Sequence, residues 1–228
     1  FIGASLSAAT ASVMAGANVA EASATKPQKW DKTVNVVIIG SGGAGLATAV
    51  SAAENGVKDI LVLEKLAFLG GNTAIATGAF NTADPKQKEQ GIEDSPELHA
   101  QQTLKGGDFR ANPELVNELS HNSYDTLTWL ESKGVKFQPK ILQVYGALWP
   151  RSHATAASKG SDYIRVLSEE AKKLGVTIQT QAKVVDIIRE NQLSGRALGV
   201  EYLNKDGQHV FVRALKAVVA CPCLLYTS

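Results

Sequence analysis

The 228-residue chain is 44% hydrophobic and 20% charged, which fits a globular protein of one sizeable domain, or one domain with part of a second. Its 23 lysines and arginines stand against 22 aspartates and glutamates, a net charge of +1. That balance gives no electrostatic case for nucleic acid or an anionic membrane surface, so recognition rests on local sites.

Residues 1–20 carry no charge and are mostly Ala, Ser, Thr and Gly. Such residues partition poorly into hydrocarbon, so the stretch predicts an export signal and not a stable membrane anchor. Ala22-Ser23-Ala24 has the small-x-small shape of a signal-peptidase site, which places the mature start at Thr25 and the protein in the periplasm. The opening "FIG" resembles the residues that follow the paired arginines of a twin-arginine signal. Residues 1–24 are therefore expected to be an export-signal remnant, and the polar residues 25–33 a linker.

Val34–Ile39, "VNVVII", reads as a strand buried on both faces. A helix is expected over Gly45–Asn55 and a second short strand over Ile60–Leu63. Gly70–Pro85, rich in Gly, Ala, Thr and Asn, reads as an extended loop. Two helices then announce their starts with a cap followed by proline: Ser95-Pro96, stopping at Gly106, and Asn112-Pro113, stopping at Gly134. In the second, Leu115, Leu119, Leu127 and Leu130 are expected on one apolar face, with a polar interruption near Asn122 that splits it. Gln138–Gly160 is irregular, and a helix follows over Asp162–Leu174 with Ile164, Leu167, Ala171 and Leu174 inward. Strand-like runs close the chain at Val176–Ile188, Ala197–Leu203 and His209–Leu215, with a hairpin at Asp206-Gly207. "KAVVA" (Lys216–Ala220) reads as one more buried strand. The pattern is α/β, a parallel sheet with a β-meander inserted before its last strand.

The stretch from Gly40 to Asn81 carries the chemistry. Gly40 permits a tight turn out of the strand, Gly42 leaves the backbone open to a pyrophosphate, and Gly45 permits close helix–sheet packing. The helix N-terminus then presents unpaired N–H groups to the phosphates. Glu64, 24 positions after Gly40, ends the second strand, where a carboxylate accepts hydrogen bonds from both hydroxyls of an adenosine ribose and repels a 2′-phosphate. Strand, glycine turn, helix and acid in this order make a Rossmann-like dinucleotide site. The glycine-rich segment Gly70–Asn81 arrives too soon after Glu64 for an ordinary NAD domain and suits a backbone lying along an isoalloxazine ring, so FAD is expected.

At these residues the chain resembles the flavoprotein of the fumarate reductase/succinate dehydrogenase family, in its soluble periplasmic flavocytochrome c type. The resemblance rests on Glu64-Lys65, Gly70-Gly71-Asn72-Thr73 and Gly78, and more loosely on "DSPELHAQQTLKGG" and "NPELV". It implies that Gly40, Ser41, Gly42, Gly43, Ala44 and Gly45 hold the pyrophosphate, that Glu64 and Lys65 meet the adenosine end, that Gly71, Asn72, Thr73, Thr77 and Gly78 line the flavin, and that the Val184 backbone meets the adenine. Membrane-bound members attach FAD through a histidine where this chain has Asn72, so non-covalent FAD is implied. Ala79 replaces a family glycine.

The resemblance also implies reduction of an activated C=C bond in a small carboxylate, with an arginine as the acid. That arginine belongs to a segment beyond an "A-T-G-G-F" turn and a capping domain, and the chain reads "KAVVAC" where the turn should begin. Residues 34–220 are thus expected to be the N-terminal part of an FAD-binding domain, truncated before the capping domain, with its catalytic residues unassigned. Residues 221–228, "CPCLLYTS", resemble a translated sequencing adapter and are expected to be non-native. Cys221-Pro222-Cys223 makes a poor chelate, and no metal site is expected. Without a C-x-x-C-H haem motif before Val34, electrons are expected from a separate cytochrome or other carrier. An oxidative relative, of 3-ketosteroid dehydrogenase or aspartate oxidase type, and a flavin-binding module without turnover are the alternatives. Arg151 and His153 align with an R-x-H loop of the family, although an exposed loop pair is the plainer reading. His99, His121 and His209 read as surface residues without partners, and Trp129-Leu130 as core.

Overall fold

A computed structural model describes residues 29–145, 147–191 and 194–222. The expected export signal, the first part of the expected linker and most of the expected tail lie outside the described residues. In chain order the elements are β1 (Lys32–Ile39), α1 (Gly43–Glu54), β2 (Ile60–Leu63), α2 (Gly71–Ile75), β3 (Ala79–Asn81), a 3₁₀ turn (Pro85–Gln90), α3 (Pro96–Gly106) and α4 (Pro113–Ser132). They continue with β4 (Ser152–Ala154), α5 (Ser161–Lys173), β5 (Thr177–Gln179), β6 (Lys183–Asn191), β7 (Ser194–Leu203) and β8 (His209–Ala220).

Six strands form one sheet in the order β5-β2-β1-β8-β7-β6, and β3 with β4 makes a separate ribbon. β5, β2, β1 and β8 run parallel, whereas β7 pairs antiparallel with both β8 and β6. The apolar runs explain the centre of this sheet. Strands flanked on both sides bury both faces, and all four residues of β2 are buried. Val36 and Ile38 of β1 pack with Leu46, Val50, Ile164 and Leu167 from α1 and α5. Val37, one residue out of phase, packs on the other face with Leu61, Leu63, Val200, Tyr202 and Val212.

The caps read from sequence form as expected. Ser95 Oγ accepts from the Leu98 N–H at 3.1 Å, and Asn112 Oδ1 accepts from the Glu114 N–H at 2.8 Å. Four expectations change. The segment Gly70–Pro85 is not one extended loop but a short helix, a strand and the start of the 3₁₀ turn. α4 is one unbroken helix whose buried stripe runs Val116, Ser120, Ser123, Leu127 and Leu130, while Leu115 and Leu119 are 68% and 58% exposed. Two serines serve on the inner face because both are satisfied: Ser120 Oγ donates to the Val116 carbonyl at 2.8 Å and Ser123 Oγ to Thr82 Oγ1 at 2.7 Å.

The run Val176–Ile188 divides into β5 and β6, since Gln181 takes a left-handed φ of 51° between them. "KAVVA" is not a separate strand either. It is the end of β8, which leaves β7 and continues alongside β1 past a register shift between Val34 and Val36. The third strand of the meander is therefore itself the last parallel strand.

Candidate functional site

The parallel register brings two loops together at the carboxyl edge of the sheet. Ile39 pairs with Leu63 on one side and with Ala220 on the other, so Gly40 and Glu64 emerge side by side. Gly40 has φ 100°, and a Cβ there would stand 2.6 Å from the Cys221 carbonyl oxygen, so only glycine makes this turn. A Cβ on Gly45 would stand 2.0 Å from the Gly40 carbonyl oxygen, which ties the start of α1 to the turn.

Gly42 is different. It caps α1 without a side chain, and a Cβ there would meet nothing nearer than 3.8 Å. No intramolecular contact demands a glycine at this position, so the backbone here is open to close approach. The first-turn N–H groups of α1 have no intrahelical acceptor and carry the positive end of the helix dipole. One of them, Gly43 N–H, donates to Thr73 Oγ1 at 3.1 Å, so the second loop already lies against the helix start.

Ser41 is wholly buried, and Glu64 is 6% exposed. Glu64 Oε2 accepts from the Ser41 N–H at 3.0 Å and from Ser41 Oγ at 2.6 Å, and Oε1 accepts from the Leu66 N–H at 2.9 Å. A carboxylate has about four lone-pair sites, so one remains, on Oε1. The expectation that Glu64 takes both ribose hydroxyls therefore narrows to one. Behind it, the Ala182 N–H donates to the Glu64 carbonyl and the Gln181 N–H to the Leu66 carbonyl. These bonds bring the start of β6, with half-buried Val184, to the same edge. Lys65 is exposed.

The second loop lies beside a cavity of about 580 Å³ whose lining includes Gly43, Ala44, Asn72, Thr73, Thr77 and Gly78. Of the sequence-predicted residues, these six thus meet at one cavity, while Gly40, Ser41 and Glu64 form the bonded edge next to it. Gly71 lies between the two with open space where a Cβ would be. Sequence reading missed Gly160 and Tyr163, which also line the cavity. Gly160 lets α5 start against Thr73, where a Cβ would stand 1.9 Å from the Thr73 carbonyl oxygen. Tyr163 Oη donates to the Gly78 carbonyl at 2.9 Å, and burial pushes the phenol well above its ordinary pKa, which keeps it a donor. A glycine immediately before an amphipathic helix was the one available signal. Trp129 is half-buried beside Leu130, lines the cavity, and donates from Nε1 to Glu54 at 3.0 Å.

Arg151 and His153 are not an exposed loop pair. They flank and occupy β4 at 6% and 4% exposure. Arg151 makes a two-pronged bond to Asp94, Nε to Oδ2 at 2.9 Å and Nη2 to Oδ1 at 2.7 Å, and His153 Nε2 meets Asp84 Oδ2 at 3.2 Å. Such geometry satisfies the buried charges internally. The other three histidines depart from expectation only in part. His99 is buried, and burial first, then the Arg151 charge, depress its pKa. His121 and His209 are exposed but partnered, by Glu97 and Glu201 respectively.

The donor set fits a dinucleotide: an open backbone at Gly42 and Gly71, a helix start facing the turn, and a carboxylate with one free lone pair. A family model described as an FAD binding domain matches residues 35–222. The chain belongs to that family. FAD is thus the cofactor of this chain. The FAD-binding chain is 32% identical over 222 residues to the acrylate reductase flavoprotein subunit of Shewanella woodyi, covering 94% of this chain and 44% of that protein. It is also 32% identical over 191 residues to a fumarate reductase (cytochrome) of Shewanella frigidimarina, covering 82% and 33%. The resemblance read from Val34 to Asn81, and more loosely to Ala220, is borne out. Among solved structures, the 3-ketosteroid-Δ4-(5α)-dehydrogenase of Rhodococcus jostii RHA1 superposes with a TM-score of 0.77 at 29% identity, over 87% of this chain and 47% of that one. The chain spans less than half the length of each of these proteins. Among the described residues no helix is long and apolar enough to cross a membrane.

Proposed function

We propose that this chain is the FAD-binding part of an exported flavin oxidoreductase that reduces an activated C=C bond of a small, fumarate-like carboxylate. The observation that carries the reading is the juxtaposition of the Gly42 helix start, the Glu64 carboxylate and the Gly70–Gly78 loop at one sheet edge. The names of the relatives, acrylate reductase and fumarate reductase, support the direction and the substrate class. Bound non-covalently, FAD supplies a two-electron carrier that delivers hydride from its N5 position.

The protein's own part is to bind and orient. The α1 start and the open Gly42 backbone receive the diphosphate. Glu64 holds one adenosine ribose hydroxyl, with Lys65 and the Val184 backbone at the adenosine end. Asn72, Thr73, Thr77 and Gly78 lie along the flavin, and Asn72, lacking a nucleophilic imidazole, leaves the cofactor free of a covalent bond. The proton donor and the groups that grip the substrate carboxylates lie outside these FAD-binding residues. Residues 1–24 direct export to the periplasm, and a separate cytochrome or other carrier delivers electrons.

Expression of the chain, measurement of bound flavin, and assay of fumarate reduction by reduced viologen dye test this reading. It predicts flavin released intact by acid denaturation and no turnover by the chain alone. Turnover would overturn the assignment of the catalytic residues to another segment. A second reading, an enzyme working in the oxidative direction, is favoured by the likeness to the ketosteroid dehydrogenase. Dye reduction with 3-ketosteroids by a longer form of the protein, without fumarate reduction, would select it.

A further inference from the structure

We infer that Ser41 is a positioning residue that sets how Glu64 reads the adenosine ribose and locks the two cofactor loops to each other. The inference rests on the FAD reading above and concerns specificity for the adenosine half. Ser41 is wholly buried and makes three bonds to the two ends of the segment that joins β2 to α2. Its N–H and its hydroxyl both donate to Glu64 Oε2, at 3.0 and 2.6 Å, and its hydroxyl oxygen accepts from the Gly70 N–H at 3.2 Å. Gly70, with φ 110°, opens the loop whose Thr73 receives the Gly43 N–H. One hydroxyl therefore sits at the junction of the diphosphate turn, the ribose carboxylate and the loop that carries Asn72, Thr73 and Gly78.

The chemistry follows from counting lone pairs. Two donors from Ser41 saturate Oε2, and the Leu66 N–H takes one site on Oε1. The carboxylate can no longer rotate to chelate a diol, and it presents a single acceptor in a fixed direction. Without the hydroxyl, Glu64 loses one anchor and the buried Gly70 N–H loses its acceptor. Ser41 touches no ribose atom in this account; it acts through Glu64.

The test compares FAD with FMN, which lacks the adenosine half, by flavin fluorescence titration of the apo chain and its Ser41→Ala, Glu64→Gln and doubly substituted forms. Thermal melting of each apo form reports folding separately. Ser41→Ala is expected to weaken FAD about tenfold and FMN less than twofold. In the Glu64→Gln background it is expected to add little further loss, because the two residues act as one unit. Equal weakening of FAD and FMN, or full additivity with Glu64→Gln, would overturn the inference while leaving the flavin site intact. Failure of the unsubstituted chain to bind FAD would overturn the flavin reading itself, and this inference with it. If Ser41→Ala does not fold, Ser41→Cys, which keeps nearly the same volume but only a weak donor and a weak acceptor, must show the same FAD-selective loss for the inference to stand.

Discussion

Gly45 stands directly over the carbonyl of Gly40: a methyl group on Gly45 would lie 2.0 Å from that oxygen. No rotation relieves the contact, because both partners are backbone. Gly45→Ala is therefore expected to destabilise the apo chain by about 1–3 kcal/mol, seen as a lower urea midpoint at unchanged slope. An unchanged midpoint would mean that the turn and α1 are free to separate.

Arg151 and Asp94 form a buried, doubly bonded ion pair, with side chains 7% and 1% exposed. Arg151→Ala leaves the Asp94 carboxylate without its cation and is expected to cost about 3–5 kcal/mol. Replacing both with apolar residues of similar volume, Arg151→Met with Asp94→Leu, is expected to cost less than the single change. Denaturant unfolding of the two variants checks the order.

His99 gives the fold a pH dependence. Burial, aided by the Arg151 charge, holds its folded pKa below the ordinary 6.5. The unfolded chain thus binds a proton that the folded chain resists. Stability from this group is full above about pH 6.5 and falls as pH drops from there toward the depressed folded value. His99→Gln, which cannot titrate, is expected to flatten the fall in melting temperature across that window.

α4 separates what was legible from what was not. Its start was written in Asn112-Pro113 and its end near Gly134, and both are where the local chemistry put them. Its inner face was read correctly at Leu127 and Leu130 but misread by one residue, about 100° of helix, in its first half. The leucines at 115 and 119 suggested the stripe, but the core accepts Val116, Ser120 and Ser123 because the serines find acceptors. Leu127→Ala is accordingly expected to cost about 2–5 kcal/mol, and Leu119→Ala less than about 0.5 kcal/mol. Comparable losses by thermal melting would restore the original face.

The same contrast runs through the site. Gly40, Gly42, Gly45 and Glu64 were readable because a strand, a turn and a helix follow one another within a short stretch and fix their own geometry. Arg151 and His153 were not, since the acids that bury them lie 57 and 69 residues away in sequence. The division of Ser41 and Leu66 between the two oxygens of Glu64 was equally hidden, for it depends on distances that spacing does not carry.

The account turns on Gly42 and on what its missing side chain makes room for. A Cβ there meets no atom within 3.8 Å, so Gly42→Ala is expected to keep apo stability within about 0.5 kcal/mol of the parent chain. The deciding measurement is calorimetric titration of FAD into both forms. The account predicts that the parent binds and that Gly42→Ala, folded and equally stable, loses at least about tenfold in affinity, roughly 1.4 kcal/mol. Equal affinity in the two forms, or no binding by the parent, would contradict it.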